Sequence, residues 1–134
     1  MLQMNPLQAA GLYLAIQLIL MLVLAYRVVQ KRMDGIGLGD GDDITMQRRI
    51  RIHGNLTEYA PLFLLGLFAL ASLGASVVVI HSFGIVFTVA RCGHAFNFHN
   101  EDGKKPQGRF FGTLFTWLSM LFLALTLLYF VFLG

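Results

Sequence analysis

The sequence predicts an all-α integral membrane protein, a bundle of four transmembrane helices. Three observations lead there. Of the 134 residues, 57% are hydrophobic and only 13% charged, with 12 Phe, whereas soluble domains are about 45–50% apolar and about 25% charged. Four apolar stretches each reach the roughly 20 residues that cross a hydrocarbon core of about 30 Å. None shows the alternating polarity over about 10 residues that a transmembrane strand needs. A backbone in lipid must satisfy its own polar groups, so all four stretches are expected to be helices. As a soluble globule the chain would expose large apolar patches and aggregate.

The first stretch runs from about Leu7 to Tyr26, with only Gln8 and Gln17 polar. Its cations, Arg27, Lys31 and Arg32, follow the apolar run and none precedes it. That order reads as an anchor rather than a cleaved signal peptide. The second stretch covers about 50–73, the third 76–98 and the fourth 110–133. Leu73-Gly74-Ala75-Ser76 is a short uncharged turn, which makes helices two and three antiparallel neighbours. Between helices one and two, Gln30 to Arg49 contains Asp34-Gly35-Ile36-Gly37-Leu38-Gly39-Asp40-Gly41-Asp42-Asp43, expected to be a solvated, flexible loop. Asn100 to Gly108 forms a second polar connection, and the whole chain, 1–134, reads as one four-helix domain.

Charge then orients the bundle. Arg27, Lys31, Arg32, Arg48, Arg49 and Arg51 flank the first loop, and Arg91, Lys104, Lys105 and Arg109 flank the third. All ten basic residues therefore lie on one side. The positive-inside rule assigns that side to the cytoplasm and both termini to the outside. The net charge of +3 comes with no basic stripe interleaved with aromatics, so nucleic acid is not an expected partner. The single Cys92 excludes an intrachain disulfide.

Helix two carries the polar chemistry. Arg51, Asn55, Glu58 and Tyr59 fall within an arc of about 100° on one helix face. Glu58 lies about 10 Å along the axis from Arg51, below the headgroups, where an unpaired acid costs roughly 2.5 kcal/mol or more. One reading is an interhelix salt bridge between Glu58 and an arginine. The other is a cleft with opposite charges in fixed places, suited to a zwitterionic ligand whose carboxylates meet guanidinium forks. On helix three, Arg91, His94 and Phe98 share a face at i, i+3, i+7. Arg109 opens helix four, where the helix dipole adds positive potential suited to an anion or thiolate; an arginine snorkelling to headgroups is the plainer alternative. The outer half of the bundle reads as apolar apart from His81.

Other signals carry less. Asp40-Gly41-Asp42-Asp43 lacks EF-hand spacing, and the nearby glycines follow no strand, so they form no dinucleotide fingerprint. His53, His94 and His99 have no fixed geometry for a metal, and Cys92 reads as packing.

Arg51-x-His53-Gly54-Asn55-x-x-Glu58-Tyr59-x-Pro61-Leu62 closely resembles the signature of the MAPEG family, the membrane-associated proteins in eicosanoid and glutathione metabolism. The four spans, long first loop, tight second turn and basic third loop extend the resemblance over the chain, and the Gly-Asp-Gly loop looks like the bacterial branch. The resemblance implies a homotrimer in the bacterial inner membrane that binds glutathione as co-substrate between protomers. Arg51, Asn55, Glu58 and Tyr59 would hold the tripeptide, Arg27 would add a carboxylate contact, and Arg91 and His94 would supply further polar contacts. Arg109 resembles the arginine credited with stabilising the thiolate. The better-studied relatives carry tyrosines where this chain has His94 and Phe98, so contacts needing those hydroxyls are not expected. The implied activity is glutathione transfer, with peroxidase activity on lipid hydroperoxides. The alternative is a membrane protein of the same fold that binds a lipid or amphiphile without chemistry. A transporter or proton channel using Glu58 and the histidines fits the charge distribution less well.

Overall fold

The computed structural model describes residues 4–96 and 107–134. Four helices make up the described chain: α1 (Pro6–Arg32), α2 (Ile44–Ser72), α3 (Val77–Phe96) and α4 (Gln107–Phe132). All four are long and apolar enough to span a bilayer.

Helix α1 starts where its sequence caps it. The Asn5 side chain accepts from the Gln8 N–H at 2.8 Å, and the Gln8 side chain accepts from the Asn5 N–H at 2.9 Å. With Pro6 in the first turn, two orphan donors are satisfied by a capping box and a third is absent. Helix α2 starts at an N-cap aspartate: Asp43 accepts from the Met46 N–H at 2.8 Å. Lys31 ties the two ends together, lying 3.6 Å from Asp34 and 3.1 Å from Asp43. Arg32 donates to the carbonyls of Gly37 and Gly39 across the connecting loop.

Both helices are longer than their apolar stretches. α1 continues past Tyr26 to Arg32, and α2 begins at Ile44 rather than near Ile50. The solvated connection therefore shrinks to residues 33–43, and Arg48, Arg49 and Arg51 belong to α2. Hydropathy marks the part of a helix in hydrocarbon; backbone hydrogen bonding continues into the interface until a cap or glycine stops it.

The helices run alternately up and down. α2 and α3 occupy the centre, α1 packs on both, and α4 packs on both from the other side; among the described residues α1 and α4 do not touch. In the core, Phe63 of α2 stacks on Phe87 of α3 with centroids 3.8 Å apart and planes 5° apart, part of one buried apolar cluster with Leu56, Leu67, Leu70 and Ile80. Much of the outer surface is apolar, including Leu62, Leu65, Phe115 and Phe122, as a chain solvated by lipid requires.

The half of the bundle away from the basic loops holds more polar groups than His81. The Tyr13 hydroxyl lies 2.8 Å from His81 Nδ1, and Gln17 donates from Nε2 to Thr88 Oγ1 at 3.0 Å. Tyr13 reaches α3 because residue 84 is glycine: an added Cβ would lie 2.2 Å from the tyrosine ring. These pairs give polar side chains a partner within the bundle, although among the described residues Gln17 Oε1 is buried without a hydrogen-bond partner.

Candidate functional site

Near its C-terminal end α3 turns an arginine into the bundle. Arg91 is only 1% exposed, and three helices supply its partners. One terminal nitrogen donates to Asn55 Oδ1 of α2 at 2.6 Å and to His94 Nδ1, one turn on, at 3.2 Å. The other donates to Thr116 Oγ1 of α4 at 3.2 Å. The guanidinium carbon lies 5.7 Å from the centroid of the Tyr59 ring, over its face, a cation–π distance.

Local sequence makes this convergence possible. α4 approaches α3 closely at Gly112, where an added Cβ would stand 2.7 Å from His94 Cβ and 2.8 Å from the Ala90 carbonyl oxygen. One turn further on, Thr116 donates its own hydrogen to the Gly112 carbonyl at 2.7 Å, which leaves its oxygen lone pairs for Arg91. A guanidinium has no acceptor, so His94 Nδ1 must accept from Arg91, and a neutral His94 then carries its proton on Nε2.

Every one of these partners is neutral. Among the described residues no carboxylate pairs with Arg91; the ion pairs found are those of Lys31. The Nε of Arg91 is buried without a hydrogen-bond partner. Glu58 acts on Arg91 through space but makes no ion-pair contact; a buried cation with no carboxylate in contact carries a desolvation penalty of several kcal/mol, which hydrogen bonds to neutral groups offset only in part.

The four α2 residues read as one face divide in two. Asn55 and Tyr59 form the inner edge: they are half-buried, with Asn55 bonded to Arg91. Arg51 and Glu58 form the outer edge and are exposed. Glu58 makes no ion pair among the described residues, so the intrachain salt bridge that the sequence allowed is not formed. Pro61, just beyond, has no N–H to give the Thr57 carbonyl, so a backbone acceptor is released beside Glu58.

Arg27 stands apart from this group. It is half-buried, its carbonyl accepts from Arg49, and it lines a small cleft with Leu24, Arg49 and Ile52. Arg109 sits in the first turn of α4 and is exposed, while His94 is buried against Arg91. Phe98 and His99 lie outside the described residues.

Two site residues escaped the sequence reading, both on α4. Thr116 contacts Arg91, and Trp117 donates its indole N–H to the Tyr59 hydroxyl at 3.0 Å. Within an otherwise apolar run, hydroxyls recurring every three residues at Thr113, Thr116 and Ser119 after Gly112 were the available signal for the first. Trp117 looks like an ordinary lipid-facing aromatic.

The fold and polar cluster define a multi-pass membrane protein with a charged site at one end of an apolar bundle. The chain belongs to the MAPEG family, whose model matches residues 10–129. It is 30% identical over 123 residues to the inner membrane protein YecN of Escherichia coli strain K12, covering 91% of this chain and 92% of that protein. YecN of the uropathogenic strain CFT073 matches with the same identity and coverage. No solved structure matches the chain. Family membership and these relatives support an integral protein of the inner membrane.

Proposed function

We propose that this protein is a glutathione transferase of the inner membrane, assembled as a homotrimer. In this reading it holds glutathione at the basic, cytoplasmic end of the bundle. There it stabilises the thiolate for attack on an apolar electrophile or a lipid hydroperoxide. One observation carries the reading: opposite charges stand unpaired on two sides of α2. Arg91 is buried with neutral hydrogen-bond partners, and Glu58 is exposed and acts on it only through space, with no cation within ion-pair distance among the described residues. A zwitterionic tripeptide supplies both counter-charges. Its carboxylates lie in the field of Arg91 and meet the free fork of Arg51, and its ammonium meets Glu58.

A second copy of the chain completes the environment of Glu58. Glu58, Leu62, Leu65 and Ala69 are all exposed and recur at i, i+4, i+7, i+11, a single stripe turned away from the chain's own bundle. A neighbouring protomer covering that stripe removes the carboxylate from lipid and encloses the guest between subunits.

The chemistry follows from electrostatics. A free thiol titrates near pH 8.5, and lowering that value by two units stabilises the thiolate by about 2.7 kcal/mol. Arg109, in the first turn of α4, adds its charge to that of the helix N-terminus. The thiol proton leaves to water. With an electrophile, sulfur bonds to carbon and the leaving group departs with the bonding pair. With a hydroperoxide, sulfur takes the outer oxygen, releasing the alcohol; a second glutathione converts the sulfenic acid to disulfide and water.

The test is glutathione conjugation to a generic aromatic halide in liposomes, wild type beside Arg109→Ala and Glu58→Gln. Arg109→Ala should lower turnover at least about tenfold, the loss of about 1.4 kcal/mol of transition-state stabilisation. Glu58→Gln should act mainly on the KM for glutathione. A wild type that matches the uncatalysed rate overturns the enzyme reading in favour of a lipid-binding protein. An apolar groove of about 460 Å³ between α3 and α4, lined by Ile85, Val89, Phe111 and Phe115 among others, favours that alternative.

A further inference from the structure

We infer that Trp117 is a positioning residue of this site: its indole N–H sets the orientation of the Tyr59 hydroxyl, so that the phenol presents its own proton to the guest. The inference rests on the glutathione reading above and adds a residue that the helix-two signature does not contain.

An indole N–H only donates, whereas a phenol has one proton to give and lone pairs to accept with. The contact of 3.0 Å between Trp117 Nε1 and the Tyr59 oxygen therefore has one polarity: Trp117 gives and Tyr59 receives. An N–H arriving on one side of the oxygen excludes the phenolic proton from that side. Among the described residues, no group accepts that proton. Tyr59 thus holds a directed donor with no acceptor of its own.

The ring that carries this donor is held from two directions. Arg91 of α3 lies over its face at 5.7 Å, and Trp117 of α4 holds its oxygen. Swinging the phenol away forfeits both contacts. The hydrogen bond that Tyr59 accepts also strengthens the one that its hydroxyl donates. The result is a fixed, sharpened O–H donor at the edge of a positive site, suited to an anionic oxygen or sulfur of a small peptide.

Trp117 itself is 56% exposed, so its packing contribution is modest and its removal should leave the bundle intact. This makes the test clean. Trp117→Phe keeps an aromatic ring and loses the N–H, Trp117→His restores a ring N–H donor, and Tyr59→Phe removes the hydroxyl. Glutathione affinity is measured for each by calorimetry in detergent, along with the pH titration of the bound thiol. A hydrogen bond is worth about 1 kcal/mol, so Trp117→Phe and Tyr59→Phe should each weaken binding about fivefold. The double variant should be no weaker than Tyr59→Phe alone, and Trp117→His should recover at least half of the loss. The bound thiol should titrate higher in both phenylalanine variants, a change that lost packing does not produce. Additive losses in the double variant, or a Trp117→Phe protein indistinguishable from wild type while wild type binds, overturn this inference alone. A wild type that binds no glutathione overturns the parent reading and this one with it.

Discussion

Replacing Arg91 by methionine asks whether the buried cation is kept for a guest or already serves the fold. The side chain is 1% exposed, and it donates to Asn55, Thr116 and His94, all neutral. Removing it leaves little unsatisfied. Thr116 keeps its bond to the Gly112 carbonyl, Asn55 is only half-buried, and the main loss is the donor to the buried His94 Nδ1. Methionine fills similar space without the desolvation penalty of several kcal/mol. Exchange of buried charge for apolar volume is commonly neutral or stabilising by about 1–4 kcal/mol, so Arg91→Met should unfold in detergent at the same temperature as wild type or higher. Glutathione binding should move the other way. Loss of the Arg91 field at the guest's carboxylates, about 1.7 kcal/mol at about 10 Å and an effective dielectric of about 20, weakens affinity at least about tenfold. The assay pairs thermal unfolding of the ligand-free protein with calorimetric titration. Destabilisation by about 3–5 kcal/mol, the cost of breaking a buried ion pair, would show that Arg91 already has its counter-ion within the protein, and would refute the reasoning.

Four further outcomes are expected. Gly112→Val places atoms against the His94 backbone, where even a Cβ stands 2.8 Å from His94 N; overpacking should cost about 1–3 kcal/mol in thermal unfolding and weaken glutathione binding by shifting Thr116. Glu58→Gln should reduce glutathione affinity but leave that for a des-amino analogue lacking the ammonium unchanged, read by the same titration. Leu65→Arg, on the exposed stripe of α2, should convert the proposed trimer into smaller species by native mass spectrometry or sedimentation. The Met46 backbone N–H and then the Lys31 ammonium hold the Asp43 carboxyl below the usual carboxylate range. Its contribution is full above the unfolded value near 3.9 and is lost as pH falls through the lower folded value. Asp43→Asn keeps the cap and removes the titration, so its unfolding temperature should depend less on pH than that of wild type below about pH 4.

The spans were legible because a bilayer enforces length and polarity together, and the caps at Asn5 and Asp43 lay in plain view once the helix ends were known. The ends themselves were not, since hydropathy falls at Tyr26 while the backbone ladder runs on to Arg32. The helix-two residues were legible as a group, yet their division into an inner pair, Asn55 and Tyr59, and an outer pair, Arg51 and Glu58, depends on which side α3 packs. An arginine near the end of an apolar span looks the same whether it snorkels or turns inward. What buries Arg91 is the close approach of α4 at Gly112, a contact between segments distant in sequence. For the same reason Thr116 and Trp117 were hidden in an apolar run.

The most direct measurement is a calorimetric titration of the wild-type protein, reconstituted in lipid nanodiscs, with glutathione. Unpaired opposite charges on the two sides of α2 should give saturable binding with a Kd of about 1 mM or tighter, and Arg91→Met should weaken it at least about tenfold. Absence of heat at about ten times that concentration, or binding that Arg91→Met leaves unchanged, would contradict the assignment of this polar cluster as a glutathione site.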